Sequence, residues 1–136
     1  MPITGLEKRV DRFRDAAHRG TDWLLQFANA DGSVGPVQER LFYYRLPWAL
    51  ALVGEIGKAC RLLDWIHDHM ISATGEFEGV SPQGIFAERY GSYPLACLLM
   101  GASMLQRYDL VYPCLPALAR WQDPETGGVR NGRVQR

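Results

Sequence analysis

Two blocks of the chain, PWALALVG at residues 47–54 and PLACLLMG at residues 94–101, repeat one pattern. Pro47, Ala49 and Gly54 match Pro94, Ala96 and Gly101, each pair 47 residues apart. A recurrence of that length, long enough for two helices and their links, constrains the chain to an α/α hairpin array in which each hairpin buries its apolar face on its neighbours. The flanks agree: Glu39–Arg40 precedes the first block and Glu88–Arg89 the second, and both read as ion pairs at a hairpin entrance. Trp23 and Trp65, 42 residues apart, each precede a turn glycine, Gly32 and Gly75.

The helical reading follows from spacing. Thr4 with Glu7 forms a capping box, and Leu6, Val10, Phe13, Ala17, Leu24 and Phe27 mark one face of a helix over about residues 5–28. Gly20 interrupts that helix without ending it, at a cost of about 1 kcal/mol. Asp31–Gly32 and Gly35–Pro36 stop it, because these turn pairs tolerate or impose unusual backbone angles. The segment ERLFYYRLPWALALVG is read as a buried helix, with Pro47 in a first turn where its missing N–H costs nothing. Leu62, Ile66 and Met70 mark a further helix over residues 58–71, and the loop SATGEFEGVSPQGIF follows it. A third copy begins at CLPALARWQDPETGG. The expected architecture is all-α: one domain over residues 1–136, with hairpin units at about 5–54, 58–107 and 114–136, about two and a half hairpins in all. With the third unit cut short, either a C-terminal half is missing or the chain completes its surface as an oligomer.

At 136 residues the chain is long enough to bury one core. Its fifteen basic and fifteen acidic side chains cancel without forming blocks, which argues against nucleic acid as a partner. No apolar run approaches the roughly 20 residues of a membrane span, and the charged N-terminus is unlike a secretion signal, so a cytoplasmic protein is expected. Cys60, Cys97 and Cys114 sit in apolar contexts and read as packed, reduced thiols.

The repeat resembles that of the terpenoid cyclase and protein prenyltransferase superfamily, over about residues 16–129. Arg19–Gly20 and Trp23–Leu24 fit the opening of the squalene-cyclase-type repeat, and Asp31–Gly32 fits its turn. Gln26 stands two positions earlier than the family's glutamine, and Val34 replaces its terminal tryptophan. Gln122, Asp123, Gly127 and Gly128 resemble the Gln-Asp-Pro…Gly-Gly turn of bacterial relatives. The resemblance implies part of an (α/α) toroid whose central cavity takes a hydrophobic isoprenoid or polyene substrate, and cyclase or isomerase chemistry if the chain is catalytic; no cofactor is expected, because the family's metal-holding motifs are missing. It transfers no catalytic residue. The Asp-x-Asp-Asp acid run, an Asp-rich magnesium cluster and an Asp-x-Cys zinc arrangement are all absent from the sequence.

Candidate acids are therefore Glu76, Glu78 and Glu88, in or just after the long loop, and candidate substrate platforms are Tyr44, Trp48, Phe86, Tyr90 and Tyr93, with Tyr43 beside them. Metal binding is not expected. His67 and His69 in DWIHDHM project about 200° apart on a helix, leaving only Asp64 with His67 or Asp68 on one face. His18 stands alone and reads as structural. Two other readings compete with the cyclase-like one. One is a non-catalytic helical repeat module completed by a partner chain. The other is a carbohydrate-active α/α barrel that uses the glutamates with stacking aromatics.

Overall fold

In the computed structural model, residues 4–36, 43–78 and 91–130 are described. They form five helices: α1 (Thr4–Leu25), α2 (Leu46–Leu52), α3 (Ile56–Met70), α4 (Ser92–Met104) and α5 (Tyr108–Ala119). Among the described residues the only extended pairings are three isolated bridges, so the fold is all-α as expected. Thr4 lies within α1 rather than before it, and α1 ends at Leu25, two residues before Phe27, the last mark of its apolar periodicity. Pro47 does lie in the first turn of its helix. Glu39, Arg40, Phe86, Glu88, Arg89 and Tyr90 lie outside the described residues.

The centre of the molecule is built by α2 and α4. The shorter helix, α2, packs on α3 and α4, while α4 packs on α2 and α5. Most of α4 is buried between these neighbours, through Leu95, Leu98, Leu99 and Ala102, while Tyr93, Met100 and Met104 leave one side open. Leu50, Leu62, Leu63, Ile66, Met70, Leu98 and Leu110 are almost wholly buried, each worth roughly 1.5–3 kcal/mol over exposure. Gly101 lets α4 approach α2 closely: a Cβ there would stand 2.9 Å from the Trp48 amide nitrogen.

The links α2–α3 and α4–α5 share one capping geometry. At the first, Gly54 N–H donates to Ala51 and Glu55 N–H to Leu50; at the second, Gln106 N–H donates to Ser103 and Arg107 N–H to Ala102. Both have the paired bonds of a Schellman cap, with Gly54 (φ 86°) and Gln106 (φ 56°) in the left-handed position. The structural counterpart of Gly54 is thus Gln106, and not Gly101 as the 47-residue echo suggests. The extra length of α4 accounts for the difference, since helix starts and helix ends repeat at different intervals.

A second recurring element follows α1, α3 and α5. After α1, Asn29 N–H donates to Ser33, Gly32 N–H to Asn29, and Gly35 N–H to Phe27. After α3 the same three bonds run from Ser72 to Glu76, Gly75 to Ser72, and Glu78 to Met70, every residue 43 positions on. After α5 they run from Asp123 to Gly128, Gly127 to Asp123, and Arg130 to Trp121, with one residue inserted. Each turn is closed by a bridge (Ala28–Val34, Ile71–Phe77, Gln122–Val129) and bends at a glycine of positive φ. The 42-residue spacing of Trp23 and Trp65 is therefore one short of the register that superposes the turns, and the two rings take different places.

The first two turns are covered by the helix that follows in the packing. A Cβ on Gly32 would stand 2.8 Å from the Arg61 carbonyl oxygen in α3, and one on Gly75 would stand 2.4 Å from that of Pro113 in α5. Gly127, at the same place in the third turn, has only the tip of Gln122 within 4 Å among the described residues. The residue that closes the turn behaves likewise: Phe77 is buried, whereas Val129 is 63 % exposed.

Candidate functional site

The first turn and the start of α2 enclose an apolar cleft of about 400 Å³. Trp23, Leu24 and Phe27 supply one wall, Val34 to Pro36 the floor, and Tyr43 and Leu46 the other wall. Trp23 and Phe27 meet edge to face at 5.0 Å, which fixes both rings without covering them. The volume lies within the roughly 300–1,000 Å³ of small-molecule sites. Among the described residues no carboxylate, histidine or cysteine lines the cleft.

Tyr43 positions the far wall. It is fully buried; its hydroxyl donates to the Val34 carbonyl at 2.7 Å and accepts from the Val34 N–H at 3.0 Å, binding α2 to the turn. Its ring stacks on Trp65 at 5.3 Å, and Trp65 stacks in turn on His69 at 4.5 Å. Burial holds the Tyr43 phenol above its ordinary pKa, so the proton that makes the Val34 bond stays in place. Asp31 belongs to the turn and not to the cleft. Its carboxylate accepts from the Ser33 hydroxyl at 2.7 Å and from the Ser33 N–H at 2.9 Å, which lowers its pKa, the hydroxyl contributing most.

The residues proposed from sequence fall elsewhere. Tyr44 and Tyr93 come together at the entrances of α2 and α4, with ring centres 5.8 Å apart. Between them lies Arg45, whose Cζ is 5.2 Å from the Tyr44 ring and 5.4 Å from the Tyr93 ring, and whose guanidinium donates to the Tyr93 hydroxyl. That bond is the main cause of a raised Arg45 pKa. Sequence reasoning overlooked Arg45; the available signal was a lone arginine inside the aromatic run FYYR. Trp48 is half-buried where α2 meets Gly101 of α4. None of Tyr44, Trp48 and Tyr93 lines the cleft. Phe86, Tyr90 and Glu88 lie outside the described residues.

Glu76 accepts a hydrogen bond from Arg120 at 3.1 Å, which ties the second turn to the end of α5. Glu78 is exposed at the foot of that turn. Asp64 accepts from Arg107 at 2.6 Å, and Asp109 receives the other arm of the same guanidinium at 2.7 Å; this clamp joins α3 to the α4–α5 link. His67 bonds Asp68, and His69 bonds the Trp65 carbonyl. Among the described residues no group of three His, Cys, Asp or Glu side chains could hold a metal. Cys97 and Cys114 are buried, and burial raises the Cys114 pKa, keeping that thiol protonated and inert. No described helix is long and apolar enough to cross a membrane.

No family model matches the chain, and no curated protein or solved structure matches it significantly.

Proposed function

We propose that this chain is a terpenoid-cyclase-like α/α-hairpin protein that binds a hydrophobic isoprenoid or polyene ligand. The observation that carries the reading is the cleft beside Tyr43, walled by Trp23, Phe27 and Leu46, with no carboxylate, histidine, lysine or arginine among the described lining residues. An apolar chain entering it gains by surface removed from water, at about 25 cal/mol per Å². The aromatic rings restrict its orientation. The reading is one of binding; cyclase or isomerase chemistry would require an acid, and among the described lining residues there is no carboxylate. Quenching of tryptophan fluorescence on titration with farnesol, lost in Trp23→Ala, supports the reading. Quenching that is absent, or indifferent to Trp23, removes it.

The third turn, uncovered among the described residues, favours a second reading, a non-catalytic helical repeat module completed by a partner chain. Gly127 and Val129 stand open at the positions where Gly32 and Gly75 meet a helix backbone and Phe77 is buried. Association that is lost on Val129→Asp with the isolated fold intact supports this reading, and an association state indifferent to Val129 contradicts it.

A further inference from the structure

The longest helix is also the least covered. Residues 5–20 of α1 are exposed at every position, on all sides of the helix. Yet Leu6 and Phe13, 66 % and 69 % exposed, belong with Val10 and Ala17 to one apolar stripe. Its steps alternate four, three and four residues: Leu6 to Val10, Val10 to Phe13, Phe13 to Ala17. That alternation is the a/d seam of a coiled coil, with Val10 and Ala17 at a, and Leu6 and Phe13 at d. An apolar stripe left open to water along a helix of 22 residues gains nothing from burial, so the seam calls for a cover.

We infer that this face pairs with the same face of a second copy of the chain, α1 against α1 in antiparallel orientation about a two-fold axis. Charge decides the partner and the direction. When Val10 of one copy is set against Phe13 of the other, Leu6 falls opposite Ala17, and the flanking e positions place Glu7 beside Arg14 of the second copy. The two-fold axis makes this pair twice. In a parallel pair, Arg9 at g instead meets Arg14 at e, and the like charges repel. Within one chain Arg14 bonds Asp11 at 3.0 Å; that pair is exposed and holds Arg14 only weakly. The seam lies along the N-terminal half of α1, away from the cleft at its C-terminal end, so the pairing is independent of ligand binding.

The full chain, followed by analytical ultracentrifugation across the micromolar range, should show a concentration-dependent monomer–dimer equilibrium. Phe13→Asp should leave it monomeric with helical circular dichroism retained, because Phe13 is not part of the core. Arg14→Glu should weaken the dimer roughly tenfold by turning both cross-pairs repulsive, and Glu7→Arg combined with Arg14→Glu should restore it. A chain that is monomeric at every concentration overturns the proposal, as does a monomer that binds anionic vesicles through α1. Association unchanged by Phe13→Asp, or a charge swap without rescue, also overturns it.

Discussion

Gly75 lies against Pro113 so closely that a Cβ on the glycine would stand 2.4 Å from the proline's carbonyl oxygen. Gly127 occupies the same point of the same turn, with the same sign of φ and, among the described residues, nothing but a side-chain tip near it. The pair separates two costs that usually come together. Gly127→Ala should carry only the left-handed backbone penalty, about 1 kcal/mol. Gly75→Ala adds a collision with backbone that cannot swing aside and should lose roughly 3 kcal/mol or more. Urea denaturation of both variants checks the difference; equal losses would mean that the second turn does not press on α5.

Gln106 holds a left-handed conformation at φ 56° in a cap where Gly54 serves its counterpart. A side chain at that point costs about 1 kcal/mol. Gln106→Gly should therefore raise stability by about that amount, less the added freedom of the unfolded glycine. A shift in the thermal midpoint is the readout.

Tyr43→Phe keeps the ring stacked on Trp65 but removes the hydroxyl that both donates to and accepts from Val34. Leaving two backbone groups short of partners should cost about 1–3 kcal/mol. Amide exchange should quicken at Val34 before it does in α4, because the bond lost is local to the turn.

Asp123 accepts from the Thr126 N–H, the Arg130 guanidinium and the Glu125 N–H, in that order of effect, and its pKa falls from 3.8 to about 2. Since the folded value lies below the unfolded one, ionisation favours folding. The contribution is complete above pH 3.8 and is lost as pH falls through 2. Asp31 and Asp109 are lowered too and act in the same direction. Asp123→Asn should be less stable than the parent at neutral pH, and the gap should close towards pH 2 in an acid titration followed by circular dichroism.

Much of the fold could be read from spacing. The helical class, the first-turn Pro47 and the turns at Gly32, Gly75 and Gly127 all follow from residues whose backbone preferences are local. The echo failed at Gly101, because a glycine at a helix end and one at a helix crossing look alike in sequence; only the packing of Trp48 tells them apart. The apolar stripe of α1 was legible, but periodicity states which face is apolar and not whether anything covers it. For the same reason Phe27 reads as part of the apolar face of α1, although with Trp23 it walls a cleft. Arg45 escaped notice because its two tyrosines, Tyr44 and Tyr93, are brought together by the crossing of α2 and α4.

The central claim is that the cleft beside Tyr43 takes an apolar chain. Amide chemical-shift mapping of the labelled protein during a farnesol titration tests it most directly. Saturable shifts confined to Trp23, Phe27, Val34, Leu46 and their neighbours are predicted, and Trp23→Ala should abolish them. Shifts that never saturate, or that gather instead at Tyr44, Arg45 and Tyr93, would contradict it.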